Sequence, residues 1–432
     1  MSTVKLADRH ESDWESRSAL QAECLQLRGY LFDPVTRLPS LPAVLDDIRR
    51  RLETGERLWL IYLDLSGAGH AEAIGGWQMH DRWLKSAAQV LEGCRGELFT
   101  EVDIIAQLGV RSDELIIVVG DRNDGAEHLP EKLLARLVAA QRADEELASM
   151  PAPQISGVTL EPRPRFRLER AIYGAVARGR EQCRQEVERR HSLQLDELQR
   201  LLRSGDIIVR YQPILELEKG HVHGFEALSA APPGSVFENP EMLFSFAEEH
   251  ADVVSLERVC RRRAIEGSTP LTGAGARLFL NCSPLAFQDP QLLDGLLEAG
   301  EGPSGIDIVL EVTERVAVTE WSSFKRTLAR VREAGFQVAL DDVGAGYSSL
   351  SAIGEIEPDY LKFDLSLVHH LHESPIKREL LRTLTDLARS IGARAIAEGI
   401  ELQEELDAIG DIGVELGQGY LLGRPAEPSA MA

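Results

Sequence analysis

Six short polar-tipped segments recur along the second half of this chain, most of them closing an apolar, strand-like run. They read Phe225-Glu226-Ala227-Leu228, Phe279-Leu280-Asn281, Val309-Leu310-Glu311-Val312-Thr313-Glu314, Val338-Ala339-Leu340-Asp341-Asp342, Tyr360-Leu361-Lys362-Phe363-Asp364 and Ala395-Ile396-Ala397-Glu398-Gly399. One acidic residue after a strand is ordinary. Several carboxylates, an Asn and a Lys, separated by helix-length stretches, predict convergence at the mouth of a (β/α)8 barrel, where C-terminal strand ends collect. Carboxylates gathered there repel one another unless cations sit between them. The pattern points to a metal-dependent hydrolase.

At 432 residues the chain exceeds one ordinary core, and two domains are expected. A net charge of −23 argues against non-specific binding to nucleic acid polymers or anionic membranes. An anionic substrate must then be met by local cations, which a bound divalent metal would supply. No apolar run approaches the ~20 residues that span a bilayer, and the polar start, Met1 to Glu15, shows no signal peptide. A cytoplasmic protein is expected. The five cysteines, Cys24, Cys94, Cys183, Cys260 and Cys282, have neither CxxC nor zinc-type His spacing and read as reduced thiols. Cys282 beside Asn281 reads as a small packing residue rather than a nucleophile.

Residues 1–29 read as a lead-in helix and 30–183 as an α/β domain. Within it, Leu58 to Leu65 and Glu114 to Val119 are expected strands, with a helix over Asp81 to Leu91 and a short strand near Ile155 to Leu160. A charged helix from Arg170 to about Arg203 supplies a linker, assigned to 184–205. From 206 to 432 strands alternate with helices. The β-type runs are Ile207–Tyr211, His223–Leu228, Arg277–Asn281, Asp307–Val312, Gln337–Asp341, Tyr360–Phe363, Ala393–Ala397 and a short one near Gly413–Leu416. That count fits a TIM-type barrel better than an open doubly wound sheet.

Further motifs surround the six segments: Tyr211-Gln212-Pro213-Ile214, Asp341-Asp342-Val343-Gly344-Ala345-Gly346-Tyr347, Ala397-Glu398-Gly399-Ile400-Glu401 and Gly417-Gln418-Gly419-Tyr420. Together, in this order over the whole of 206–425, they resemble the EAL family of cyclic di-GMP phosphodiesterases, named for Glu226-Ala227-Leu228. The resemblance implies a modified TIM barrel that opens cyclic di-GMP to linear pGpG with Mg2+ or Mn2+. It implies that Glu226, Asn281, Glu311 and Asp341 hold one ion and that Asp341, Asp342 and Glu398 hold a second. Lys362 would hydrogen-bond or deprotonate the attacking water, its ammonium pKa lowered by the cations. Glu314 would anchor the loop that follows Asp342. Gln418, Glu401, Gln212 and Leu228 would act behind the metals or against substrate. One position departs from the family: the phosphate-contacting Arg two residues after Leu228 is Ala230 here. Losing such a contact costs roughly 1.5–3 kcal/mol.

Residues 30–183 resemble a GGDEF (diguanylate cyclase) domain in degenerate form. Asp33-Pro34-Val35-Thr36-Arg37-Leu38-Pro39 matches its entry motif, and Asp64 its first metal aspartate. The signature itself reads Arg111-Ser112-Asp113-Glu114-Leu115. Side chains there occupy space that glycines leave for a triphosphate, and the guanine-reading positions hold Glu72 and Ala73. No cyclase activity is expected. Asp64, Asp113 and Glu114 leave a regulatory GTP site as one reading, beside a structural or dimerising role. A homodimer is expected by resemblance. The rivals to a phosphodiesterase are a non-catalytic cyclic di-GMP receptor and a scaffold acting through protein contacts.

Overall fold

A computed structural model describes residues 29, 31–66, 71–120, 125–144, 146–148, 150–161, 167–271, 276–289, 291–300, 306–313, 321–344 and 349–430. The expected helix over 1–29 lies outside them. The chain divides into two compact units, 1–191 and 192–432, with the division inside one helix, Leu168–Ser204.

The first unit is an antiparallel four-stranded sheet in the order β2-β3-β1-β4, from β1 Leu58–Asp64, β2 Ile104–Gln107, β3 Glu114–Gly120 and β4 Gln154–Leu160. Its central strands are apolar at almost every position because both sheet faces are covered. Ile61, Leu63, Leu115 and Ile117 join one core, with Trp83, Leu84 and Leu133 from the helices Ala71–Gly93 and Leu129–Arg142. Leu60, Tyr62, Ile116 and Val118 join the other, with Leu41 and Ile48 from the helix Leu41–Glu53 and Ile172 from the start of Leu168–Ser204. β2 went unassigned in the sequence because four residues carry too short a period to read.

The second unit is a closed eight-stranded barrel. Its strands are β5 Ile208–Glu216, β6 His221–Ala230, β7 Arg277–Asn281, β8 Asp307–Thr313, β9 Gln337–Val343, β10 Tyr360–Phe363, β11 Arg394–Ala397 and β12 Leu416–Gly417. β6 to β12 run parallel around the barrel. β5 runs against both its neighbours, β6 and β12. A regular (β/α)8 barrel would have it parallel. The reason is the connection: a turn between Glu216 and His221 is far too short for the crossover that parallel strands need. β5 also extends past the expected Tyr211 through Pro213, a residue that demotes a run as a strand candidate.

Inside the barrel, Ile214, Phe279, Val309, Ala339, Tyr360, Ile396 and Leu416 form one buried apolar plug. His223 packs within it, its Nε2 3.1 Å from the Tyr360 hydroxyl and its Nδ1 3.1 Å from Arg394 Nη1. The guanidinium can only donate, so Nδ1 accepts and the ring is neutral. Burial first, then Arg394 and Arg277, pull the His223 pKa down to about 4. Among the described residues no helix is long and apolar enough to cross a membrane.

Candidate active site

Strand side chains alternate, so residues i and i+2 share a face. Two positions beyond the plug residues, toward the C-terminal mouth, the inward positions are Asn281, Glu311, Asp341, Lys362, Glu398 and Gln418; on the reversed β5 the equivalent is Gln212. The polar layer is thus one rung above the plug, and β6 adds Glu226. The Lys362 ammonium is fully buried, 2.6 Å from Glu311 Oε1, 2.7 Å from Glu398 Oε1, 3.2 Å from Asp341 Oδ1 and 3.5 Å from Glu226 Oε2. Asn281 Nδ2 donates to Glu226 Oε1 at 3.4 Å. Gln418 Nε2 donates to Glu226 Oε2 at 2.6 Å and to Gln212 Oε1 at 3.0 Å, and Gln212 in turn donates to the Gly423 carbonyl.

Consecutive strand residues normally face opposite ways, yet carboxylate oxygens of Asp341, Asp342 and Glu398 lie within 4.8 Å of one another. A β-bulge accounts for this. Leu361 pairs with Leu340 and Phe363 with Val343, so Lys362 alone opposes both Asp341 and Asp342. Asp342 takes φ 57°, a left-handed conformation that Asp tolerates better than most residues. Gly344 (φ 110°) and Gly399 (φ 70°) lie against Leu367 and Leu365, where a Cβ would collide. Asp364 caps the short helix Leu365–Val368, accepting from Ser366 N at 2.9 Å.

One ammonium faces four carboxylates, and the protonation balance shows the strain of that ratio. Burial pushes Glu311 well above the carboxylate range, Lys362 opposing and Glu226 and Asp341 reinforcing. Burial also pushes Glu398 up, to about 8, against Lys362 and with Asp341 and Glu226. Burial would lower Lys362, but Asp341, Glu226, Glu311 and Glu398 outweigh it and hold the ammonium well above its ordinary value. With protein groups alone, the sign is therefore opposite to the lowering expected beside cations. Glu311 Oε1 and Oε2, Asp341 Oδ1 and Lys362 Nζ are shut from solvent, and although the ion-pair distances are short, none of these atoms has a partner at hydrogen-bond geometry. Buried, under-compensated oxygen donors are what hard divalent cations bind.

A cavity of about 400 Å³ opens beside this layer, lined by Leu228, Phe244, Asn281 and Glu311 and by the ion pair Glu257–Arg261. Arg261 Nη1 lies 2.9 Å from Glu257 Oε2, and Glu257 accepts the Ser283 amide at 3.1 Å. This pair was missed in the sequence; an i,i+4 Glu–Arg spacing reads as a solvated helix face, and here it is buried. Glu405 was missed too. Fully buried, it accepts the amides of Glu401 (3.0 Å), Leu402 (3.1 Å) and His370 (3.0 Å), which anchors the turn after Glu398. Burial raises its carboxyl, but those amides outweigh it and the net shift is downward. The Glu401 side chain is exposed at the rim, and Glu314 lies outside the described residues. Ala230, the last residue of β6, is half-buried. Burial pushes the Cys282 thiol up to about 12, which suits packing and not nucleophilic attack.

In the first unit the signature-like carboxylates have protein partners. Glu114 accepts from Arg180 Nε and Nη2, both at 2.8 Å, and from the Tyr62 hydroxyl. Asp113 Oδ1 lies 2.9 Å from His80 Nε2, and Asp64 accepts the Ser66 amide at 2.8 Å. Arg111 takes φ 61° and its amide donates to Asp33 Oδ2 at 2.8 Å.

The family profile described as EAL domain matches residues 195–425, more than half of the chain. Over 424 residues the chain is 28% identical to the cyclic di-GMP phosphodiesterase NbdA of Pseudomonas aeruginosa, covering 93% of this chain and 53% of NbdA. It is 31% identical over 237 residues to the probable cyclic di-GMP phosphodiesterase PdeG of Escherichia coli, covering 53% of this chain and 46% of PdeG. The chain thus spans about half the length of the curated relatives it matches. Among solved structures, the Xanthomonas citri FimX EAL domain in complex with c-diGMP superposes with a TM-score of 0.51 at 24% identity, over 56% of this chain and 96% of that one, a likeness of fold.

Proposed function

Because the chain belongs to the EAL-domain family, we propose that its barrel hydrolyses cyclic di-GMP to linear pGpG in a reaction that depends on Mg2+ or Mn2+. The observation that carries this reading is the charge imbalance at the mouth: one buried ammonium among four carboxylates, with a fifth, Asp342, brought alongside by the bulge. Glu226, Asn281, Glu311 and Asp341 would hold one ion, and Asp341, Asp342 and Glu398 the second. The ions would supply Lewis-acid activation of water and neutralise phosphate charge. The chain's own groups hold the rest of the arrangement. Gln212 orients Gln418, and Gln418 with Asn281 fixes both oxygens of Glu226. Lys362 lies at the floor of the site among these carboxylates and would hydrogen-bond the attacking water. Leu228 and Phe244 give a guanine face apolar walls, and Arg261 places a guanidinium in the same cavity. Hydrolysis forms one bond from water oxygen to phosphorus, breaks one P–O3′ bond and returns the proton to the leaving 3′-oxygen.

We assign the first unit as a degenerate GGDEF-like domain in a structural role. The supporting observation is Glu114, whose carboxylate is taken up by Arg180 and Tyr62 and so is not available to a metal. The assay that tests the whole reading is conversion of cyclic di-GMP by the purified chain in Mg2+ and in Mn2+, followed chromatographically. Metal-dependent pGpG that vanishes in EDTA, at a rate unchanged by GTP, is expected. A non-catalytic receptor is the second reading, and Ala230, which removes a phosphate contact, weakens binding in either. Binding heat with cyclic di-GMP in Ca2+ but no product in either metal would establish that reading instead.

A further inference from the structure

Beyond the barrel mouth, one other group of three side chains among the described residues brings metal-ligating atoms within 4.8 Å of one another: His370, His372 and Glu373. They lie on the turn between the helices Leu365–Val368 and Pro375–Ile391. His370 Nδ1 is 3.6 Å from Glu373 Oε2, and His372 Nε2 is 3.6 Å from Glu373 Oε1. Two metal bonds of about 2.0–2.1 Å at the tetrahedral angle hold their ends roughly 3.3–3.4 Å apart, so these pairs need only tighten slightly around an ion. We propose that His370, His372 and Glu373 form a second metal site, distinct from the catalytic mouth, for a divalent ion of the zinc, nickel and copper group.

The turn that carries these ligands is held in place by bonds that leave the three side chains uncommitted to it. His370 sits at φ 54°, and its amide is anchored on Glu405. Lys377 Nζ donates to the carbonyls of Ser366 and His369, both at 2.7 Å. His369 is committed elsewhere, its Nδ1 3.5 Å from Glu405 Oε1, and is not counted as a ligand. The His372 side chain is 21% exposed, and its Nδ1 is shut from solvent with no hydrogen-bond partner. A ring already largely buried has less freedom to lose when Nε2 binds an ion. The donor chemistry separates the two sites. Two imidazoles and one carboxylate suit borderline ions, whereas the mouth offers mainly carboxylate oxygens and no histidine, a set for Mg2+ or Mn2+.

The test is calorimetric titration of the full chain with Zn2+ in saturating Mg2+, for the wild type and the variants His370→Ala, His372→Gln and Glu226→Ala. Wild type and Glu226→Ala are expected to take up one Zn2+ at this site. The two histidine variants should bind it more weakly by at least the roughly tenfold that loss of even an outer partner costs. Pulsed electron paramagnetic resonance of Cu2+-loaded protein should show two imidazole nitrogens at this site, reduced to one in each histidine variant. His370 is exposed, so His370→Ala is expected to fold, and equal thermal midpoints without Zn2+ check this. Unchanged Zn2+ uptake and unchanged imidazole signals in the histidine variants would overturn the proposal, whether or not the barrel proves to be a phosphodiesterase.

Discussion

Both units of this chain bear clustered carboxylates at sheet or barrel ends, but the two clusters are compensated differently. In the sheet unit, Glu114 is matched by a bidentate guanidinium and a phenol. In the barrel, Glu226, Glu311, Asp341 and Glu398 share one lysine, and burial with mutual repulsion drives Glu311 and Glu398 toward protonation. Charge that a fold compensates internally contributes to stability. Charge that it leaves under-compensated costs stability and marks where something else binds.

Substitution can break this contrast. The largest effect is expected for Glu311→Gln, which keeps the volume and removes a buried carboxyl group. Turnover of cyclic di-GMP should fall by about a thousandfold or more, the several kcal/mol that metal-assisted charge stabilisation supplies. The thermal midpoint in EDTA should rise, because a strained carboxyl group is gone. Lost stability with retained turnover would reverse the argument.

A smaller effect belongs to the plug below the site. His223 is neutral in the fold with a pKa of about 4, whereas an unfolded histidine titrates near 6.5. Between those values the unfolded state binds the extra proton, so stability falls as pH drops from about 6.5 to about 4 and levels off below. The loss amounts to about 3 kcal/mol at most. Urea denaturation at pH 7, 5 and 4 should show this component in the wild type and not in His223→Gln. Identical pH slopes would mean that His223 does not carry it.

The smallest effect is expected in the sheet unit. Glu114→Ala should lower stability by about 1–2 kcal/mol, discounted for the exposure of Arg180, and leave turnover within about twofold. A large loss of turnover would show that the two units are compensated for a shared purpose.

Most of the barrel was legible because its strands repeat one local pattern. Phe279-Leu280-Asn281, Val309-Leu310-Glu311 and Tyr360-Leu361-Lys362 each place an apolar residue in the plug and a polar one a rung above it. Their order along the chain is their order around the mouth. What stayed hidden depends on pairing that one strand cannot express. The reversal of β5 follows from a short turn and a strand that continues through Pro213. The bulge that turns Asp342 beside Asp341 exists only against Lys362 on the neighbouring strand. Glu257, Arg261 and Glu405 sit on helices with ordinary charged spacing, and only burial shows what they hold. In the sheet unit, two helices and β2 went unassigned, while the strands with continuous apolar runs were plain.

The most direct test of the under-compensated mouth is anomalous X-ray diffraction from crystals of the full chain soaked in Mn2+ and measured at the manganese edge. The account predicts two peaks about 3.5–4 Å apart, one among Glu226, Asn281, Glu311 and Asp341 and the other among Asp341, Asp342 and Glu398. A mouth without manganese, with Lys362 still the only cation among the four carboxylates, would contradict it.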